Sequence, residues 1–79
     1  ADADRQRRVK EWLRDLKVNN AADILPKLLE LAGETRREVA HQCVTKLDPK
    51  VVRAAIKDGK RWVQPLVAIL YPDDKGTSP

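Results

Sequence analysis

His41 and Cys43 are the sole histidine and the sole cysteine of the chain, and they are the first residues to weigh for chemistry. A thiol nucleophile needs a base within hydrogen-bonding reach. Residues two apart on a helix point away from each other, because helical neighbours lie three or four apart. The serine, Ser78, sits in the polar end of the chain, remote in sequence from His41. One histidine and one cysteine cannot supply the four ligands of a structural zinc site. Three glycines form no phosphate-cradling loop. The expectation is therefore no enzyme, no cofactor, no metal and no small-molecule substrate. Cys43 falls on an apolar helical face and reads as a small core residue, while His41 lies off that face.

What the chain does have is cations. Sixteen Lys and Arg against twelve Asp and Glu leave a formal charge of +4, a balance that suits an acidic partner. At about 100° per residue, Arg7, Lys10, Arg14 and Lys17 form a narrow row beside an apolar stripe of Val9, Trp12, Leu13 and Leu16. Asp4, Glu11 and Asp15 fall on the opposite flank. An ordinary solvated face is the plain explanation, since charged residues are mostly exposed; the sorting of the signs is what favours a binding edge. Arg36 and Arg37 open the third expected helix, where positive charge opposes the helix dipole by roughly 0.3–1 kcal/mol. A bound anion or acidic partner would offset that cost. Lys50, Arg53, Lys57, Lys60 and Arg61 complete the basic inventory.

The expected binding residues are Arg7, Lys10, Arg14, Lys17, Arg36 and Arg37, and the expected partner is an acidic protein or peptide. The alternative is RNA or DNA, with the same cations neutralising phosphates and an aromatic stacked on a base. Against it stand twelve acidic residues and only three Trp and Tyr. No apolar run approaches the roughly 20 residues of a membrane span, and the opening Ala1 to Arg8 is no signal peptide. A single cysteine fits a reducing compartment, cytoplasmic or nuclear. The abrupt start and polar end read as cuts from a longer protein, so the expectation is an interaction module of a larger intracellular regulatory protein.

The elements that must carry these residues are helices. The expected class is all-α, a compact bundle or superhelix of about five short helices over 4–17, 21–32, 35–47, 49–58 and 61–71, in one domain spanning 4–72, with 1–3 and 73–79 disordered. A chain of 79 residues buries roughly 60% of its unfolded surface, so the core is small. With Phe and Met absent, it must be aliphatic, with Trp12, Trp62 and Tyr71 as its few large pieces and both tryptophans buried. Thr35 and Glu38 spell a capping box. Asp48 followed by Pro49 spells an N-cap and a first helical residue, and Gly59 a left-handed helix end. The helices on either side of Asp48, joined without a linker, are the expected nucleus. Asn20 or Asn19 is placed to cap the second helix. Pro26 requires that this helix start late, near Leu25, or kink. Leu25, Leu28 and Leu29 also match LxxLL, but a domain this short needs them for its core. Pro26, Pro49 and Pro72 recur at a spacing of 23, which a duplicated helical unit or coincidence would equally produce.

Val9-Lys-Glu-Trp12-Leu13-Arg-Asp-Leu16-Lys-Val18 resembles the opening of a SAM domain, a five-helix module that binds proteins or, in some members, RNA hairpins. The resemblance covers about ten residues. The aromatic that usually follows, and the later Leu-Gly-Ile and Gly-His/Arg block, are absent, so no binding residue is carried over. The series of short capped helices is also similar in general architecture to HEAT-type pairs.

Overall fold

The computed structural model describes residues 2–72; the disorder expected of 73–79 lies outside the described residues. The class is all-α, with no strand among the described residues. Four helices of nine residues or more, α1 (Asp2–Asp15), α2 (Ala21–Ala32), α3 (Arg36–Leu47) and α4 (Pro49–Lys57), precede a seven-residue α5 (Gln64–Leu70). Three 3-10 turns, Val18–Asn20, Gly33–Thr35 and Arg61–Val63, make the joints before α2, α3 and α5.

Helix α2 is the hub. Ala21, Leu25, Leu28, Leu29 and Ala32 are all buried, more than any other helix contributes, and α2 packs against α1, α3, α5 and the Arg61–Val63 turn. The organising element is thus α2, although the sharpest boundary signals lie around α3 and α4. All three leucines of the LxxLL string are in the core, which leaves none of them to dock elsewhere. The late start near Leu25 is corrected: α2 begins at Ala21, and Pro26 sits inside it without ending it. Its missing N–H leaves the Ala22 carbonyl without a helical partner, and both residues are exposed, where water can serve that oxygen.

The α3–α4 joint follows its sequence signals. Asp48 Oδ1 accepts a 2.9 Å hydrogen bond from the Lys50 N–H, and Pro49 takes the first turn, where no N–H partner is lost. Asp48 does this at φ +82°, in the left-handed half of backbone space that Asp and Asn enter more readily than most residues. At the far end, Gly59 has φ +69°. Its N–H donates to the Ile56 carbonyl at 3.1 Å and that of Lys60 to the Ala55 carbonyl at 2.9 Å, the paired bonds of a Schellman ending.

Other expectations are corrected. Helix α1 begins at Asp2, so residues 2 and 3, expected to be disordered, are helical, and it ends at Asp15, so Leu16 and Lys17 lie beyond it. The Thr35–Glu38 capping box does not form. The 3-10 turn brings Thr35 to φ −91°, ψ 11°, short of the extended geometry a cap requires. Its hydroxyl donates back to the Ala32 carbonyl at 2.8 Å instead. Asn20 makes no cap to α2. Its side chain closes the preceding joint, accepting from the Lys17 N–H at 2.7 Å and donating to the Asp15 carbonyl at 2.9 Å. The prolines at intervals of 23 occupy unlike places: inside α2, at the first residue of α4, and after α5. The interval therefore marks no repeated structural unit.

Candidate functional site: cationic flanks and two grooves beside α1

Every Lys and Arg among the described residues is exposed, so the cations all face solvent. Within the expected row, Arg7 pairs with Asp4 at 3.3 Å and Arg14 with Asp15 at 3.7 Å. Exposed pairs of this kind contribute little, about 0–1 kcal/mol. Lys17 leaves the row, because its backbone is extended at φ −144° beyond the end of α1. Arg36 is not without a local partner, as its dipole position suggested. Its guanidinium donates to the Gly33 carbonyl at 3.3 Å, on the turn that closes α2. Arg37 is exposed on α3.

Two grooves lie on either side of α1, and Arg5 borders both. The first, of about 450 Å³, is lined by Arg5, Trp12, Lys27, Glu30, Leu31 and Gly33. Trp12 and Leu31 are half-buried against the core rather than enclosed by it. Trp62 is likewise half-buried. The expectation that Trp12, Trp62 and Tyr71 are the large pieces of the core is corrected: both tryptophans pack at its edge and Tyr71 is 51% exposed, because the deep positions go to smaller side chains, Val63 of the Arg61–Val63 turn among them. The second groove, of about 440 Å³, runs between α1 and the start of α3. Val9 and Val39 contribute its larger apolar side chains, Arg5 and Lys10 its cations, and Asp2, Glu34 and Glu38 its acids. Gly33 joins the two. It holds φ +61°, and the Arg5 guanidinium lies 3.4 Å from where a Cβ would stand.

Of the six expected binding residues, Lys10 alone lines either groove. The structure does not gather Arg7, Arg14, Lys17, Arg36 and Arg37 around a common recess. Two groove cations, Arg5 and Lys27, were missed by the sequence reading. A signal for them existed, since Arg5 is seven residues from Trp12 and Lys27 four from Leu31, spacings that share a helical face.

His41 is exposed and Cys43 is fully buried, so the two do not meet. Burial pushes the Cys43 thiol up from 9.0 to about 12 by desolvating the thiolate, which suppresses its nucleophilic form. Among the described residues no three potential metal ligands cluster, and no helix is long and apolar enough to cross a membrane. Compared with protein families, curated proteins and solved structures, the chain matches none.

Proposed function

We propose that this chain is a non-catalytic helical interaction module that binds an acidic protein or peptide beside α1. The observation that carries the reading is the first groove, where half-buried Trp12 and Leu31 lie among Arg5, Lys27 and the single acid Glu30. Affinity at protein interfaces comes mainly from a few large anchors, Trp and Arg prominent among them. Complementary charge steers the encounter and fixes the register. A peptide that sets a leucine against Trp12 and carboxylates toward Arg5 and Lys27 satisfies both. Lys10, which lines the second groove, adds a further cation along α1.

The test is a fluorescence titration in a Trp62→Phe background, which leaves Trp12 as the one emitting indole. The probe is a synthetic Asp/Glu-rich peptide with a central leucine pair. Saturable binding with a blue shift, as Trp12 leaves water, supports the reading. No spectral change at low salt counts against it.

A further inference from the structure

We infer that the outer face of α4 is a second, separate binding surface, for the sugar-phosphate backbone of a nucleic-acid duplex. Lys50, Arg53 and Lys57 are all exposed and stand at i, i+3 and i+7 on one side of α4. Val52 and Ala55 are buried on the other. The stripe thus sets three cations along about 10 Å of helix axis. Helix α4 contains no acidic residue. Lys60 and Arg61 follow across the Schellman ending at Gly59 and are also exposed.

The charge balance singles out this segment. From Lys46 to Arg61 there are six cations and two acids, Asp48 and Asp58, a net of +4. That equals the formal charge of the whole chain, so the remaining residues hold ten of each sign and cancel. Of the two acids, Asp48 has its carboxylate turned to the Lys50 N–H at the helix start. None of the six cations takes part in an ion pair among the described residues. The electrostatic surplus of the molecule is therefore concentrated on and around α4, while the α1 row is matched by acids of its own helix.

The chemistry of the face selects its partner. A protein ligand needs an anchor, and no α4 residue lines either groove beside α1. The large apolar side chain exposed on α4 is Val51, at 39%, and Ala54 beside it is too small to anchor a partner. Phosphates need no anchor, because Lys and Arg that neutralise them release condensed counterions, and this term alone supports binding. A single strand would call for aromatic platforms on which bases stack. No aromatic lies between Lys46 and Arg61, and Trp62 beyond them is half-buried against the core. A duplex, whose bases are already stacked, asks only for the cations.

The experiment is fluorescence anisotropy with a labelled mixed-sequence DNA duplex of about 20 base pairs, over roughly 50 to 200 mM salt. Five phosphate contacts predict a log–log slope near −4.5, a loss of roughly 500-fold across that range. In Lys50→Glu/Arg53→Glu/Lys57→Glu the slope should shrink to about −2, and affinity at the lower salt should fall at least about tenfold. The Gln version of the same triple variant reads out the slope change if the Glu version misfolds. Arg7→Glu/Lys10→Glu/Arg14→Glu changes net charge equally and should keep duplex affinity within about threefold. The inference is overturned if the wild type does not bind the duplex at low salt, or if the α1 reversal costs as much as the α4 reversal. It is overturned too if polyglutamate displaces the duplex and itself depends on the α4 triple, which would make the face a protein site. The α4 variant should still bind the acidic leucine peptide, so this inference and the groove reading fail separately.

Discussion

The N–H of Lys60 donates to the carbonyl of Ala55 at 2.9 Å, and that bond turns the chain at the end of α4 so that Lys60 and Arg61 follow directly on Lys57. The turn requires Gly59 at φ +69°. A Cβ added there meets nothing within 4 Å, so the cost of a side chain is conformational. Gly59→Ala should lose about 1–2 kcal/mol, the left-handed penalty of an L-residue, or roughly 4–16 °C in Tm for a domain of this size. Gly59→Asn should lose less, because Asn tolerates that region. Equal melting of wild type and Gly59→Ala would refute the argument.

Asp48 caps α4 while holding φ +82°. Asp48→Ala forfeits the cap, about 1 kcal/mol, and adds a left-handed penalty of similar size. Asp48→Gly forfeits the cap but relieves the backbone. Chemical denaturation should therefore rank stability as wild type, then Gly, then Ala. The reverse order of the two variants would show that the left-handed backbone at residue 48 carries no penalty for a Cβ.

Cys43 links stability to alkaline pH. The folded thiol ionises near pH 12 against 9.0 for the ordinary value, so between those limits the unfolded chain has lost a proton that the folded chain keeps. Stability from this source is complete below pH 9 and falls as pH rises toward 12, by about 1.4 kcal/mol per unit. Lysines titrate in the same range, so the readout is the difference between wild type and Cys43→Ala, which should shrink above pH 9. A thiol reagent should modify Cys43 at the rate of unfolding. Rapid modification of native protein would contradict its burial.

Leu25 and Trp12 contrast the deep core with its rim. Leu25 is 0% exposed at the centre of α2, and Leu25→Ala should cost about 2–5 kcal/mol. Trp12 is half-buried at a groove, so Trp12→Ala should cost about 2 kcal/mol, below the roughly 3–5 of an enclosed tryptophan. A Trp12 variant less stable than the Leu25 variant would place Trp12 in the core after all.

Much of the fold was legible where local chemistry decides it. The Asp48-Pro49 start and the Gly59 stop follow from a cap, a proline and a glycine acting within a few residues. The burial of Cys43 and the exposure of His41 follow from helical spacing. The joints were less legible. A 3-10 turn uses the same residues as a helix start, so Thr35 looked like a cap and became part of the turn, and Asn20 served the helix before it rather than the one after. Those differences moved Lys17 off α1 and gave Arg36 a carbonyl partner. The depth of Trp12 depends on which helices occupy the centre, a tertiary fact that the stripe on α1 alone does not contain. The surplus charge around α4 was written in the sequence, but its significance rests on the outer face of α4 being left uncovered.

The most direct test of the acidic-partner account is a paired measurement of melting temperature and affinity for the acidic leucine peptide on Arg5→Glu/Lys27→Glu and on Lys10→Glu/Arg14→Glu. Surface reversals away from structural features usually change stability by no more than about 0.5 kcal/mol, so both variants should melt close to the wild type. Affinity should fall by at least about tenfold in the groove pair and by less in the row pair, whose loss should appear mainly as a slower encounter. Unchanged affinity in both variants, with melting also unchanged, would contradict the account.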